Sequence, residues 1–291
     1  AYKMAYLKVH YKLEFYANLL TNVISVSSKL KEYLNEIRAC NINVLKPDIN
    51  LSTDKFVIKN NNIIFPFSTI KGIGINVSSN ILNARSDGEF LNIYDAFKKL
   101  VNSKVTKKQI ETLIIADAFS SFGYNKKTLI TNLDSLYNYG ELTIDLDESL
   151  VLKPEIVKTK EFSEAVLLEQ ELDCFGFYIS NHPVTSYRSK YQDTIKIIDL
   201  SKYFNKIVST LVMVEKVKAI KTKKNEDMAF VTASDETGTI DFIFFPRVYK
   251  TNLNISKGDI CRLRGTVEKR FDELQLIVNK VEYIRRNNEE E

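Results

Sequence analysis

The apolar residues of this chain change their period once, and that change limits the fold more than any other feature. Up to about residue 175 they recur at three- and four-residue spacing, and from Ile207 onward they alternate. The first spacing lines one stripe of a helix, and the second lines one face of a strand. A helical block followed by a β block is therefore expected, an α+β multidomain chain. Its 291 residues are enough for two domains at about 100–200 residues each. Alternation predicts strands over 207–220, 228–234, 239–245, 259–268 and 273–283. One short helical pattern, 246–252, falls between the third and fourth.

Five strands with a helix after the third is the order of an OB-fold, a small Greek-key barrel. The loop after the first strand carries Lys221, Lys223 and Lys224, and the loop before the last carries Lys269, Arg270 and Phe271. In OB-folds these two loops and the face between them clasp single strands or oligosaccharides. Lysines attract the backbone, and exposed aromatics stack on any base. Phe230, Phe242, Phe244 and Phe245 are available. Alternation puts Phe242 and Phe244 on one face and Phe245 on the other, and core is the ordinary place for each Phe.

In the helical block, Leu13, Tyr16, Ala17 and Leu20 share one stripe, and Leu30, Tyr33, Leu34 and Ile37 another. Residues 41–50 read as a loop. Residues 55–58 and 63–65 read as a hairpin turned by Asn60-Asn61-Asn62, since asparagine tolerates positive φ. Thr106 is a good N-cap for a helix over 107–118. Residues 134–165 mix acidic and β-branched residues around Pro154 and read as a linker. A helix over 162–175 is stopped by Gly176.

Between two of these helices lies Ile70-Lys71-Gly72-Ile73-Gly74-Ile75-Asn76-Val77-Ser78. The segment resembles the helix-hairpin-helix motif of proteins that bind DNA without regard to sequence. Glycine lets backbone approach a phosphate closely. The amides of Gly72, Gly74 and Ile75 are then free to face an anion, and the helix after Gly74 adds the positive end of its dipole. Lys71, Gly72, Gly74, Ile75, Asn76 and Ser78 are the candidate duplex contacts. Such contacts read the backbone only. The plain alternative is a helix connection that happens to use glycine. A second hairpin over 113–119, near Lys107, Lys108, Lys126 and Lys127, has Asp117 at its turn and reads as packing.

Composition narrows the chemistry. The net charge is +4, but it is unevenly spread. Residues 60–130 carry nine Lys/Arg against five Asp/Glu, residues 134–175 three against eleven, and residues 206–285 fifteen against eleven. Two mildly basic units flank an acidic stretch, and only the basic ones suit phosphates. Three cysteines without a CxxC pair argue against zinc or a disulfide framework. Two histidines, His10 and His182, leave little for histidine catalysis. No apolar run approaches the ~18 residues of a membrane span. No secretory leader is seen, which predicts a cytoplasmic protein without membrane contact.

Several strings then share one order. They are Ala5-Tyr6-Leu7-Lys8-Val9-His10-Tyr11-Lys12-Leu13-Glu14-Phe15, Pro47-Asp48-Ile49-Asn50-Leu51-Ser52, Ile70-Lys71-Gly72-Ile73-Gly74 and Phe175-Gly176-Phe177-Tyr178-Ile179-Ser180-Asn181-His182-Pro183. Thr222-Lys223-Lys224, Met228-Ala229-Phe230, Asp235-Glu236-Thr237-Gly238 and Phe245-Pro246 follow. Together they resemble the C-terminal third of the bacterial C-family replicative DNA polymerases, the DNA polymerase III alpha subunits. Lys12 departs from the proline usual there, and Asp117 from a glycine common in the second hairpin.

The resemblance implies an architecture. Residues 1–58 would end the fingers, 59–133 would be a tandem helix-hairpin-helix unit on duplex DNA, and 134–194 an acidic linker and connector. Residues 195–285 would be an OB-fold on single-stranded template, and 286–291 a tail. His182 would be a structural corner. The resemblance also implies a parent that is a DNA-directed DNA polymerase, a nucleotidyltransferase using Mg2+ held by palm aspartates. Asp145-Leu146-Asp147 has the spacing of such a pair but lies in the acidic stretch. This chain is therefore expected to be a non-catalytic, DNA-binding fragment with no catalytic or metal-binding residue and no cofactor of its own. Sliding clamp and clamp loader are possible partners of the family, although 134–165 holds no clean Gln-x-x-Leu-Phe peptide. Two other functions stay open on the residues: an autonomous enzyme, and a replisome interaction module in which barrel and linker bind proteins.

Overall fold

A computed structural model describes residues 2–146, 150–180, 182–270 and 273–286. It divides into two compact units, Ala1–Ile179 and Ser180–Glu291.

The first unit opens with helices α1 (Tyr2–His10), α2 (Lys12–Asn22) and α3 (Ser27–Ala39). The two expected stripes face the core: Tyr16, Leu20, Leu30, Leu34 and Ile37 are all buried. A three-stranded sheet follows, with β1 (Val44–Leu45), β2 (Val57–Lys59) and β3 (Asn62–Ile64) in the order β1-β3-β2. The β2–β3 hairpin turns at Asn60 and Asn61, both at positive φ. Strand β1 lies inside the segment read as a loop. Its two residues run parallel to β3, a long-range pairing that carries no local signal.

Five helices then pack on one another: α4 (Ile75–Ala84), α5 (Ile93–Asn102), α6 (Lys107–Ile115), α7 (Lys126–Thr131) and α8 (Leu133–Asp145). Helix α5 buries Ile93, Ala96, Phe97, Leu100 and Val101 along one stripe. Burying a side chain the size of Phe97 contributes roughly 1.5–3 kcal/mol. Thr106 caps α6 as expected, in a reciprocal capping box with Gln109. Helix α6 ends at Ile115 rather than Ala118, because Asp117 turns the chain at φ 70°.

The acidic stretch 134–165 is not a linker. Its first part is α8, whose Leu133, Leu136, Gly140 and Thr143 face inward while Asp134 and Glu141 are exposed. A Cβ on Gly140 would lie 2.8 Å from Val101 Cγ2, so glycine lets α8 approach α5 closely. Residues 150–163 then run as an extended strap along the helices. Asn132 Nδ2 donates to the Val157 carbonyl and Asn132 Oδ1 accepts from the Val157 amide. Thr128 exchanges hydrogen bonds with Thr159, and Tyr94 donates to the Pro154 carbonyl. Composition misled here because side-chain amides and hydroxyls, not apolar periodicity, hold the strap. Helix α9 (Glu164–Phe175) ends at Gly176, which sits at φ 77°. Phe175, Phe177 and Ile179 close the core of this unit.

The second unit is a closed five-stranded barrel of order β4-β5-β6-β8-β7. Its strands are β4 (Ile207–Lys221), β5 (Asp227–Ser234), β6 (Thr239–Phe244), β7 (Ile260–Arg270) and β8 (Glu273–Arg285). The short α10 (Pro246–Tyr249) lies between β6 and β7. Each expected strand forms, and so does the helix after the third. Strand β4 serves two neighbours: Ile207–Met213 pairs with β7, and Met213–Lys221 pairs with β5 through a bulge at Glu215. The parallel β6–β8 pair closes the ring. Val231, Phe242, Phe244, Leu263 and Leu276 fill it. Gly265 sits where β7 presses on β8, and a Cβ there would run into the Ile277 carbonyl.

Below the barrel, Arg188 binds both Asp235 and Glu236, at 2.8 and 3.0 Å. Asp235 also accepts from the Ile197 and Thr237 amides. His182 Nδ1 meets the Val184 amide and Nε2 lies 3.0 Å from Ser234 Oγ, so it is a fold residue. Of the expected tail, residues 287–291 lie outside the described residues.

Candidate nucleic-acid interface

The glycine bend is built by burying the apolar residues on either side of it. Ile70, Ile73 and Ile81 are buried, which leaves Lys71, Gly72 and Gly74 on the outside. Gly72 takes φ 88°, a left-handed conformation that favours glycine. Gly74 is the N-cap of α4 at φ −80° with no side-chain cap. The amides of Gly72, Gly74, Ile75 and Asn76 make no hydrogen bond among the described residues. The Lys71 amide instead donates to the Cys174 carbonyl at 2.9 Å, which anchors the bend to the end of α9.

The starts of α5, α6 and α7 are covered by side chains, whereas those of α4 and α8 have no side-chain cap. Asn92 caps α5, Thr106 caps α6 and Asn125 caps α7. The first amides of α7, at Lys126 and Lys127, also donate to the Glu161 carboxylate at 3.0 and 3.1 Å. Burial pushes the Glu161 carboxyl up, but these two backbone donors and a third from Phe162 hold it below its ordinary value. Of α4 to α7, only α4 presents its dipole and amides without a side chain over them. That is the arrangement that accepts a phosphate.

One sequence candidate is wrong. Ser78 is 1% exposed, because it lies one turn into α4 on the face turned to the core, and it cannot touch DNA. Lys71, Gly72, Gly74, Ile75 and Asn76 are all exposed and adjacent. At the second hairpin the cations are mostly engaged, in keeping with a packing role. Lys46 pairs with Asp117 at 3.2 Å and Glu171 at 3.5 Å. Lys126 is buried and donates to the Ile115 carbonyl at 2.7 Å, and burial lowers its pKa against the pull of Asp117. Lys107 pairs with Asp134.

On the barrel, Lys221, Lys223 and Lys224 stand exposed on the β4–β5 turn, which is bent by Asn225 at φ 61°. Lys269 and Arg270 are exposed at the end of β7, and Phe271 lies outside the described residues. Beside the β7–β8 end of the barrel runs an open groove of about 620 Å3, lined by Phe230, Thr232, Asp241, Arg270 and Gln275 among others, with no lining residue from the β4–β5 turn. Phe242 and Phe244 are fully buried, whereas Phe230 is half-exposed in the groove. Sequence reasoning missed Lys216 and Lys218. Register places them directly opposite Thr232 and Phe230, and cross-strand partners share a face. Both are exposed. Their Lys-x-Lys alternation was the available signal, but the bulge at Glu215 decides which face they take.

No three His, Cys, Asp or Glu side chains converge on a possible metal position among the described residues. Asp145 closes α8 rather than sitting on a strand, and Asp147 lies outside the described residues. No helix of the described residues is long and apolar enough to cross a membrane.

Comparison with known proteins agrees with this picture. The helix-hairpin-helix motif family matches residues 41–129, and the family of OB-fold nucleic acid binding domains matches 210–284. The DNA polymerase III subunit alpha of Bacillus subtilis (strain 168) is 32% identical over 293 residues, 97% of this chain and 26% of the relative. That of Staphylococcus aureus (strain MSSA476) is 33% identical over 288 residues, again 97% of this chain and 27% of the relative. A solved domain of replication protein A from Methanococcus maripaludis is 20% identical over 31% of this chain and 94% of its own length. Its TM-score of 0.28 is too low to weigh. The chain spans about a quarter of the length of the curated relatives it matches. Over almost all of its own length it is homologous to the bacterial DNA polymerase III alpha subunits, with a helix-hairpin-helix unit followed by an OB-fold barrel.

Proposed function

We propose that this chain is the DNA-holding portion of a replicative DNA polymerase. Its helical unit grips duplex through Lys71, Gly72, Gly74, Ile75 and Asn76. Its barrel takes single-stranded template along Lys216, Lys218, Phe230, the lysines of the β4–β5 turn, and Lys269 and Arg270 with Phe271. The open amides at the start of α4 carry the reading. The parent would be a DNA-directed DNA polymerase of the bacterial cytoplasm, with Mg2+ held by residues beyond those described. This chain alone would not extend a primer.

Duplex binding followed by fluorescence anisotropy at two salt concentrations tests the reading. Each phosphate neutralised releases counterions, so affinity for duplex should fall with added salt. Lys71→Glu should weaken it about tenfold at low salt, from one lost and one reversed charge near the phosphate. Gly74→Val should weaken it comparably without unfolding, since a Cβ there meets nothing within 4 Å. Salt-insensitive binding that both variants leave unchanged would refute the duplex site.

Replacing Lys221, Lys223 and Lys224 together with Gln should cost about tenfold in single-strand affinity and flatten its salt dependence, with duplex affinity unchanged. Equal loss on both substrates would show that the two units do not divide the task. A second reading, a protein-docking module, draws on the exposed Leu142, Ile144 and Leu146 at the end of α8. Pull-down of sliding clamp and clamp loader in the presence of nuclease separates it from bridging by DNA.

A further inference from the structure

Ile75 has no folding role that its position explains. It is the first residue of α4, and 72% of it is exposed, between the open amides of Gly74 and Asn76. The other isoleucines of the bend, Ile70 and Ile73, are 2% and 3% exposed. An aliphatic side chain beside an anion position adds nothing to the attraction for phosphate. It also covers neither a neighbouring helix nor the strap, since Ile75 is absent from the core of its unit and from the residues packed on it. Single exposed apolar residues are common on surfaces. This one, however, is one residue from the groups that would touch a ligand.

The chemistry beside a bound phosphate supplies the missing contact. Each phosphate of a nucleic acid is flanked by sugars, and a deoxyribose presents C–H groups where a ribose presents a 2′-hydroxyl. That hydroxyl is displayed in the minor groove, and it is what lets a protein tell RNA from DNA at a given site. An apolar side chain gains by covering C–H surface, and it loses where it must strip water from a hydroxyl it cannot bond. We infer that Ile75 lies against the deoxyribose next to the bound phosphate and gives the bend a preference for DNA over RNA strands. The inference rests on the proposed duplex site and adds a sugar preference, which amides and Lys71 cannot supply because both strand types carry the same phosphate.

The test compares the full chain with Ile75→Ala and Ile75→Ser on three fluorescent duplexes of one sequence: DNA–DNA, DNA–RNA and RNA–RNA. The expected loss for Ile75→Ala on DNA–DNA is about fivefold, for part of the apolar area of one isoleucine at ~25 cal/mol per Å2. On RNA–RNA the variants should bind as tightly as the unmodified chain or slightly tighter, since the 2′-hydroxyl keeps its water, so the DNA-to-RNA ratio shrinks toward one, with DNA–RNA between. Melting should be unchanged in both variants, because the side chain is exposed. Equal loss on all three duplexes, or no loss on any, overturns the inference. Lys71→Glu separates the two failures. If it weakens all three duplexes while Ile75→Ala weakens none, the phosphate site stands and the sugar contact falls. If it too changes nothing, the phosphate site itself is refuted.

Discussion

Replacing Gly265 with valine is expected to unfold the barrel unit. A single Cβ at this position would run into the Ile277 carbonyl and the Leu276 side chain. Both belong to β8, the strand that pairs with β7 along its whole length and closes the ring against β6. Overpacking of a core usually costs about 1–3 kcal/mol and sometimes more, and here the obstacle is backbone that cannot rotate aside. Most small domains have only about 5–15 kcal/mol of stability in all. The melting transition of the barrel unit should therefore fall by ten degrees or more. Single-strand binding should be lost with it, while duplex binding by the helical unit persists. A variant that melts like the unmodified chain would show that β7 and β8 do not approach as closely as described.

Arg188→Ala should be almost as damaging. The Asp235 side chain is fully buried and that of Glu236 is 19% exposed, and Arg188 bonds to both. Removing the cation leaves a buried carboxylate without its charge partner, which typically costs about 3–5 kcal/mol. The loss should depend on pH. Burial pushes the Glu236 carboxyl up, but the hydrogen bond and charge of Arg188, with its own amide and Lys196, hold it below the ordinary carboxylate value. A carboxyl depressed in the folded state stabilises the fold above its unfolded pKa, and that stability fades as pH falls through the lowered value. The gap in denaturant midpoint between Arg188→Ala and the unmodified chain should accordingly be widest near neutral pH and narrow in acid. A gap that is small and flat with pH would show that the two carboxylates are held by their other donors, the backbone amides, Thr237 and Lys196.

What the amino-acid sequence disclosed depended on whether a signal was local. Alternation located all five barrel strands, and the helix after the third fixed their order, because β5, β7 and β8 bury every second residue over part of their length. The Asn60-Asn61 turn and the Thr106 cap were legible for the same reason: the side chain that makes the turn or cap stands at the turn or cap. Strand β1 was not, since two residues pair with a strand some twenty positions later. The strap was hidden by its chemistry. Asn125, Thr128 and Asn132 hold it by polar bonds that leave no periodic trace.

The candidate site divides in the same way. The paired glycines announced an open helix start, yet Ser78 shows that proximity in sequence does not place a residue on the binding face. Helical rotation carries it inward within one turn. On the barrel, the loop lysines were evident as a cluster. Lys216 and Lys218 were not, because a bulge resets the alternation just before them.

Strand β4 has a consequence for how this protein is made. Ile207 must find Thr266, and Val212 must find Cys261, so the ribosome finishes one edge of the ring long before its mate exists. At about 5–20 residues per second, the nascent chain waits several seconds with half of β4 unmatched. During that interval the β4–β5–β6 meander is an open sheet whose β4 edge is free to pair with another chain. Polypeptides stalled or cut before residue 260 should therefore be the sticky species in the life of this protein, and completion of β7 and β8 the event that makes it safe.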